Sequence, residues 1–166
     1  MKDKKVLFTV QAAAIAAIYV VLTVVFAPLS FGEVQIRFAE ALTILPFFTP
    51  AAIPGLFVGC LLGNFFGGAI PIDIICGSLA TLVAAMISRQ LRFNKWLVPL
   101  PPIAANVLVV PFVLFYGYGV NLPIPFMMLT VGIGEIISSG ILGMVVLLAL
   151  ERYQNVLFKN TSYTNA

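Results

Sequence analysis

Five ionisable side chains interrupt an otherwise almost continuously apolar sequence: Glu33, Arg37, Glu40, Asp73 and Glu135. Each falls within or at the end of a stretch that reads as a helix. A charge at the centre of a membrane helix costs roughly 2.5–3.5 kcal/mol on insertion scales, so such a group by default faces a cavity or a partner. Carboxylates accept hydrogen bonds and a guanidinium donates them. Together they suit recognition of a polar solute. Asn64 and Asn106 add amides that do both. Plainer roles stand beside this one. Arg37 and Glu40 lie three apart on one helical face and would neutralise each other. Glu33 and Asp73 also read as solvated loop residues, and Asn64 and Asn106 as bridges between helices. Glu135 is harder to explain away. Gly132 and Gly134 precede it, Ser138, Ser139 and Gly140 follow it, and no basic residue lies within a turn.

Bond-making chemistry has no such support. The chain has no histidine, which excludes imidazole catalysis, a histidine zinc site and a histidine pH switch. No Gly-Lys dipeptide occurs, so there is no P-loop for a nucleotide phosphate. Cys60 and Cys76 lie in apolar stretches and read as small core residues rather than a disulfide or metal pair. No catalytic residue, metal or cofactor is expected. The net charge of +3 comes from clustered Lys and Arg that speak to topology, not to nucleic acid.

The elements that position these residues follow from composition. Apolar residues make up 61% of the 166-residue chain and charged residues 9%, against about 25% charged in a soluble domain. The mean hydropathy is +1.11. Such a chain covers itself only where lipid replaces water as solvent. The expected fold is an all-α membrane protein: six transmembrane helices in one compact bundle, forming a single domain over 1–166. Proline and glycine punctuation places the helices at about 6–26, 37–48, 51–67, 72–90, 97–115 and 126–150. The first, led by Lys2, Lys4 and Lys5, is too long for a signal-peptide core and lacks a small-x-small cleavage site, so it reads as a retained span. The second is short, hence tilted or buried among its neighbours. Pro111 should kink the fifth.

Six spans put the basic N-terminus, the Arg89–Lys95 loop and the Arg152–Lys159 tail on one side. By the positive-inside rule that side is the cytoplasm, with Trp96 at the boundary. Glu33, Arg37, Glu40 and Asp73 then gather toward the outer leaflet. Glu135 lies roughly 13 Å from the outer end of the sixth helix at 1.5 Å per residue. The result is a polar pocket opening outward. In the first helix, Ala12/Ala16 and Ala13/Ala17 form two small-xxx-small pairs, a smooth face for close approach of another helix, in this chain or in a separate protein.

A six-span chain of this size with a lysine-led, alanine-paired first helix resembles the substrate-binding (S) components of energy-coupling factor transporters. The segment Gly32-Glu33-Val34-Gln35-Ile36-Arg37-Phe38-Ala39-Glu40-Ala41-Leu42-Thr43-Ile44-Leu45-Pro46, with Gly63-Asn64 and Pro71-Ile72-Asp73, is similar to the QueT family of queuosine-precursor transporters. The resemblance covers nearly the whole chain. It implies capture of a solute from outside a bacterial cell, a 7-deazaguanine base or related compound, without chemistry. It implies docking through the alanine face onto a transmembrane coupling protein, with two ATPase subunits supplying the energy, and a toppling motion that carries the pocket inward. A guanine edge offers a ring N–H and an exocyclic amine, which one carboxylate, Glu135 or Glu40, would accept together. Arg37, Gln35 or Asn64 would donate to the ring carbonyl. Glu33 or Asp73 would balance an aminomethyl cation, and Phe31, Phe38, Tyr116 and Tyr118 are candidates to stack on the ring. Other readings are an S-component for a different vitamin-like solute, a self-sufficient small-solute or ion carrier using Glu135 and Asp73, and, least of all, a membrane enzyme.

Overall fold

The computed structural model describes residues 2–27 and 36–154; Phe31, Glu33, Gln35 and Lys159 lie outside the described residues. Six helices run through the described chain: α1 (Lys2–Val25), α2 (Phe38–Phe47), α3 (Ala52–Phe66), α4 (Pro71–Gln90), α5 (Leu100–Tyr116) and α6 (Ile124–Glu151). No strand occurs among the described residues. The bundle is an all-α membrane protein. Large apolar side chains stay exposed along its outer faces, among them Val10, Ile18 and Val21 on α1, Ile75, Leu79 and Val83 on α4, and Leu129, Ile133, Ile141 and Val145 on α6. In a bilayer those are the surfaces that meet lipid.

Three helices, α1, α4 and α6, are long and apolar enough to cross a membrane, whereas α2, α3 and α5 are shorter. The shortest is also the most enclosed. Seven of the ten residues of α2 are buried, and it packs against α1, α3, α4 and α6. It is wound as a 3-10 helix throughout. At about 2.0 Å per residue that winding carries ten residues some 20 Å, about 5 Å farther than an α-helix would. Pro46, inside α2, lacks an N–H. The carbonyls at its end are met by α4 instead: Arg89 Nη1 donates to Pro46 O at 2.9 Å and to Phe47 O at 3.2 Å.

Cross-helix contacts fix the directions. Thr49 Oγ1 donates to Gln11 Oε1 and Tyr19 to Glu40, so α2 runs antiparallel to α1. Thr81 donates to Cys60 Sγ, setting α4 against α3, and Asn106 donates to Glu135, setting α6 against α5. Arg37 pairs with Ser138 and Thr43 with Ser139, so α6 runs alongside α2. Alternation of this kind gathers Lys4, Lys5, Arg89, Arg92, Lys95 and Arg152 at one end of the bundle. There Lys95 Nζ and Glu151 Oε2 form an ion pair at 2.8 Å. Arg37, Glu40, Asn64 and Asp73 collect toward the other end.

Gly55, Gly59 and Gly63 give α3 a side without side chains, and α1 lies on it. A Cβ at Gly55 would stand 2.8 Å from Ala12 O, and one at Gly59 2.8 Å from Tyr19 Cβ and 3.1 Å from Ala16 Cα. The four alanines of α1 therefore divide. Ala12 and Ala16 face α3, Ala16 being buried, while Ala13 and Ala17 are exposed. Beyond them on the same inward face, Ile15 and Tyr19 join Ile44, Leu45, Phe48, Leu56, Cys60, Ala85, Val98 and Leu147 in the core.

Candidate functional site

The polar residues singled out above are brought together by five of the six helices. Arg37, Glu40, Asn64, Asp73, Asn106 and Glu135 are all buried, and none is more than 6% exposed. Arg37 stands just ahead of α2, where Glu40 occupies the first turn. Asn64 lies near the end of α3, Asp73 in the first turn of α4, Asn106 midway along α5 and Glu135 midway along α6.

Each of the two deep carboxylates is held by one oxygen. The Tyr19 hydroxyl donates to Glu40 Oε1 at 2.6 Å, and Asn106 Nδ2 donates to Glu135 Oε1 at 2.7 Å. Their other oxygens, Glu40 Oε2 and Glu135 Oε2, have no hydrogen-bond partner among the described residues, and neither has Asn64 Oδ1. Buried polar atoms in native proteins are nearly always paired, and one left bare costs about 1–3 kcal/mol. Three such acceptors lie in one cluster. The Asn64 amide nitrogen leans on Cys60 Sγ at 3.7 Å. A Cβ at Gly77 would lie 3.2 Å from Asn64 Nδ2 and 3.5 Å from Asp73 Oδ1, so the missing side chain leaves these two groups side by side.

Hydroxyls brace the cluster from behind. Ser138 Oγ accepts from the Arg37 backbone N–H at 3.1 Å, and Thr43 Oγ1 meets Ser139 Oγ at 2.8 Å. The same Thr43 hydroxyl lies 2.6 Å from Glu40 O. Immediately after Glu135 the backbone of α6 widens into a π-helix over Ile136–Leu142 before returning to α-geometry at Gly143. Such wider turns occur often at functional sites. Here the widened turn carries both serines that lock α6 to α2.

At the rim, the Tyr118 hydroxyl donates to Asp73 Oδ2 at 2.9 Å and accepts from the Ile70 N–H at 3.3 Å. This links the α5–α6 loop to the α3–α4 turn. Burial pushes the hydroxyl above its ordinary pKa; the Ile70 amide opposes this and the Asp73 charge reinforces it. It stays a donor at neutral pH. Phe38 stacks on Phe26 at 4.5 Å, closing the gap between α1 and α2. Tyr116 is exposed and sets its ring edge-on to Phe115.

Sequence reasoning did not single out Tyr19, Thr43 or the bracing role of Ser138 and Ser139. A signal for Tyr19 existed: it continues the face begun by Ala12 and Ala16, opposite the four-residue glycine spacing of α3. Thr43 stands three residues after Glu40 and so shares its side of a helix.

No solved structure matches the chain. A curated relative from Lactococcus lactis subsp. cremoris (strain MG1363), named "Queuosine precursor transporter QueT", is 36% identical over 85 residues, covering 50% of this chain and 50% of its own. The match thus spans about half the length of that relative. The family model described as QueT transporter matches residues 9–152, which takes in all six helices and every described residue of the polar cluster. The chain belongs to the QueT transporter family.

Proposed function

We propose that this chain is the substrate-capture subunit of an ATP-driven, energy-coupling-factor importer in a bacterial plasma membrane. It binds a queuosine precursor, a 7-deazaguanine base or related compound, from outside the cell. The observation that carries the reading is the trio of bare buried acceptors, Glu40 Oε2, Asn64 Oδ1 and Glu135 Oε2. The donor edge of a guanine ring offers what they lack: a ring N–H and an exocyclic amine, both strengthened as hydrogen-bond donors by an anionic acceptor. Arg37, with five N–H donors, belongs to the same cluster and suits the ring carbonyl. Glu33 and Gln35, in the segment leading into α2, complete the proposed set. The printed name of the Lactococcus relative favours this solute.

The separation of charge along the bundle supports the orientation. Apart from Arg37, the described Lys and Arg residues crowd the end opposite the pocket, which the positive-inside rule assigns to the cytoplasm together with both termini. The pocket then faces outward. The exposed Ala13 and Ala17 offer the smooth surface on α1 where a transmembrane coupling protein would dock. Two separate ATPase subunits would drive the cycle, as the resemblance implies, in keeping with a sequence that carries no nucleotide-binding loop.

Reconstituted uptake tests this. Proteoliposomes holding the chain with a coupling protein and two ATPase subunits should accumulate a labelled 7-deazaguanine only when ATP is supplied. Uptake by the chain alone would instead identify a self-sufficient carrier. ATP-dependent uptake of biotin or riboflavin in place of the deazaguanine would keep the architecture and replace the solute.

A further inference from the structure

We infer that the basic end of the bundle holds the headgroup of an anionic phospholipid. The site is the α4–α5 turn, where Arg92, Phe93 and Trp96 stand beside Arg152 at the end of α6. This goes beyond solute capture and does not depend on which solute the chain carries.

The first support is that the turn presents aromatic rings on a held backbone. The Asn94 N–H donates to Leu91 O at 3.1 Å and the Leu97 N–H to Asn94 O at 3.0 Å, which winds the chain tightly from α4 to α5. Asn94 Oδ1 accepts from the Trp96 N–H at 3.1 Å. Beneath the turn, Ser88 Oγ donates to Val98 O at 2.8 Å, and Val98 lies in the core. On this scaffold Phe93 and Trp96 are 76% and 64% exposed, Phe93 more than any other large apolar side chain among the described residues. They continue the lipid-facing surface, for Met86 and Ile87 before them and Leu100 after them are exposed as well. Rings so placed at the end of a spanning helix lie at headgroup level, where indole and phenyl groups anchor a protein to the membrane boundary. Lipid is therefore the occupant that this surface fits.

The second support is charge, which decides the kind of lipid. Segments 87–100 and 148–154 carry Arg89, Arg92, Lys95 and Arg152 against one acid, Glu151. Lys95 Nζ donates to both oxygens of that acid, at 2.8 and 3.2 Å. The pair ties the turn to the end of α6 and holds Arg152, the next residue, near it. Arg92 repels the Arg89 guanidinium, which is fixed on the carbonyls of Pro46 and Phe47. A phosphate close to both relieves that repulsion. An excess of positive charge beside apolar rings matches a lipid that is negative at its head and apolar in its chains. A zwitterionic headgroup brings a cation of its own and gains less.

Trp96 is the single tryptophan of the chain, so its fluorescence reports on this site alone. The full chain is reconstituted in vesicles of phosphatidylcholine holding a minority of phosphatidylglycerol, with bromines on the acyl chains of one lipid or the other. Both leaflets share that composition, so the direction of insertion does not matter. Brominated phosphatidylglycerol should quench Trp96 as if enriched at least about fivefold over phosphatidylcholine, a difference of about 1 kcal/mol. The preference should shrink as added salt screens the headgroup. Arg152→Gln should reduce it severalfold with no change in melting temperature, and Arg152→Lys, which keeps the charge, should retain it. Quenching in simple proportion to the mole fractions of the two lipids would overturn the inference, with or without a variant. So would a preference that neither salt nor the paired substitutions Arg92→Gln and Arg152→Gln diminish.

Discussion

Tyr19 and Glu40 are 21 residues apart in sequence, yet the Tyr19 hydroxyl donates to Glu40 Oε1 at 2.6 Å in the interior of the bundle. The bond ties α1, the least buried of the three long helices, to α2, most of whose residues are buried. It also leaves Glu40 Oε2 as the oxygen without a partner.

Tyr19→Phe keeps the ring that packs on Gly59 and deletes the hydroxyl. Glu40 then has both oxygens bare. A buried acceptor left bare in this way costs about 1–3 kcal/mol. Thermal unfolding in detergent should shift down accordingly, and ligand affinity should fall because the carboxylate is no longer aimed.

The α1–α3 contact depends on absent side chains. Gly59→Ala would place a Cβ 2.8 Å from Tyr19 Cβ and 3.1 Å from Ala16 Cα, neither of which yields without moving a helix. A loss of about 1–3 kcal/mol is expected. Gly132→Ala serves as its control, because the nearest atom, Val107 Cγ2, lies at 3.4 Å. That variant should melt at or slightly above the parent temperature.

Ala16 and Ala17 are adjacent but face different neighbours. Ala16→Leu should lower the melting temperature, since Ala16 is buried against α3. Ala17→Leu should leave both melting and ligand binding unchanged while reducing co-purification with a coupling protein. Equal behaviour of the two variants in both assays would count against α1 as the docking helix.

Tyr118→Phe removes the bridge from the α5–α6 loop to Asp73 and to the Ile70 amide. The contact is half-exposed, so global stability should change by no more than about 1 kcal/mol. Hydrogen exchange at the Ile70 amide should quicken markedly, because its acceptor is gone.

Much of this could be read from the residues alone. Carboxylates in an apolar helix are costly wherever they occur, so Glu40, Asp73 and Glu135 announce a buried polar cluster before any coordinates exist. Proline and glycine likewise announce most helix ends. Other features depend on neighbours that a linear reading does not weigh. Within α2 only Pro46 speaks locally against α-geometry; the 3-10 winding and the Arg89 bond to its last carbonyls are seen only in the fold. The π-helical turn after Glu135 arises where Ser138 and Ser139 meet α2. A four-alanine face reads as one surface until the Gly55, Gly59 and Gly63 side of α3 takes half of it. The carboxylates, too, look free to accept two donors each until Tyr19 and Asn106 engage one oxygen apiece.

On the proposed function, the bare acceptors of this cluster receive a deazaguanine. The most direct test is a binding titration of the purified chain with a queuine-type 7-deazaguanine, run beside Glu135→Gln and with biotin and riboflavin as control ligands. The parent chain should bind the deazaguanine selectively, and the variant about tenfold or more weakly, a loss of about 1.4 kcal/mol. Unchanged affinity in Glu135→Gln, or tight binding of a control ligand with none of the deazaguanine, would contradict the proposed function.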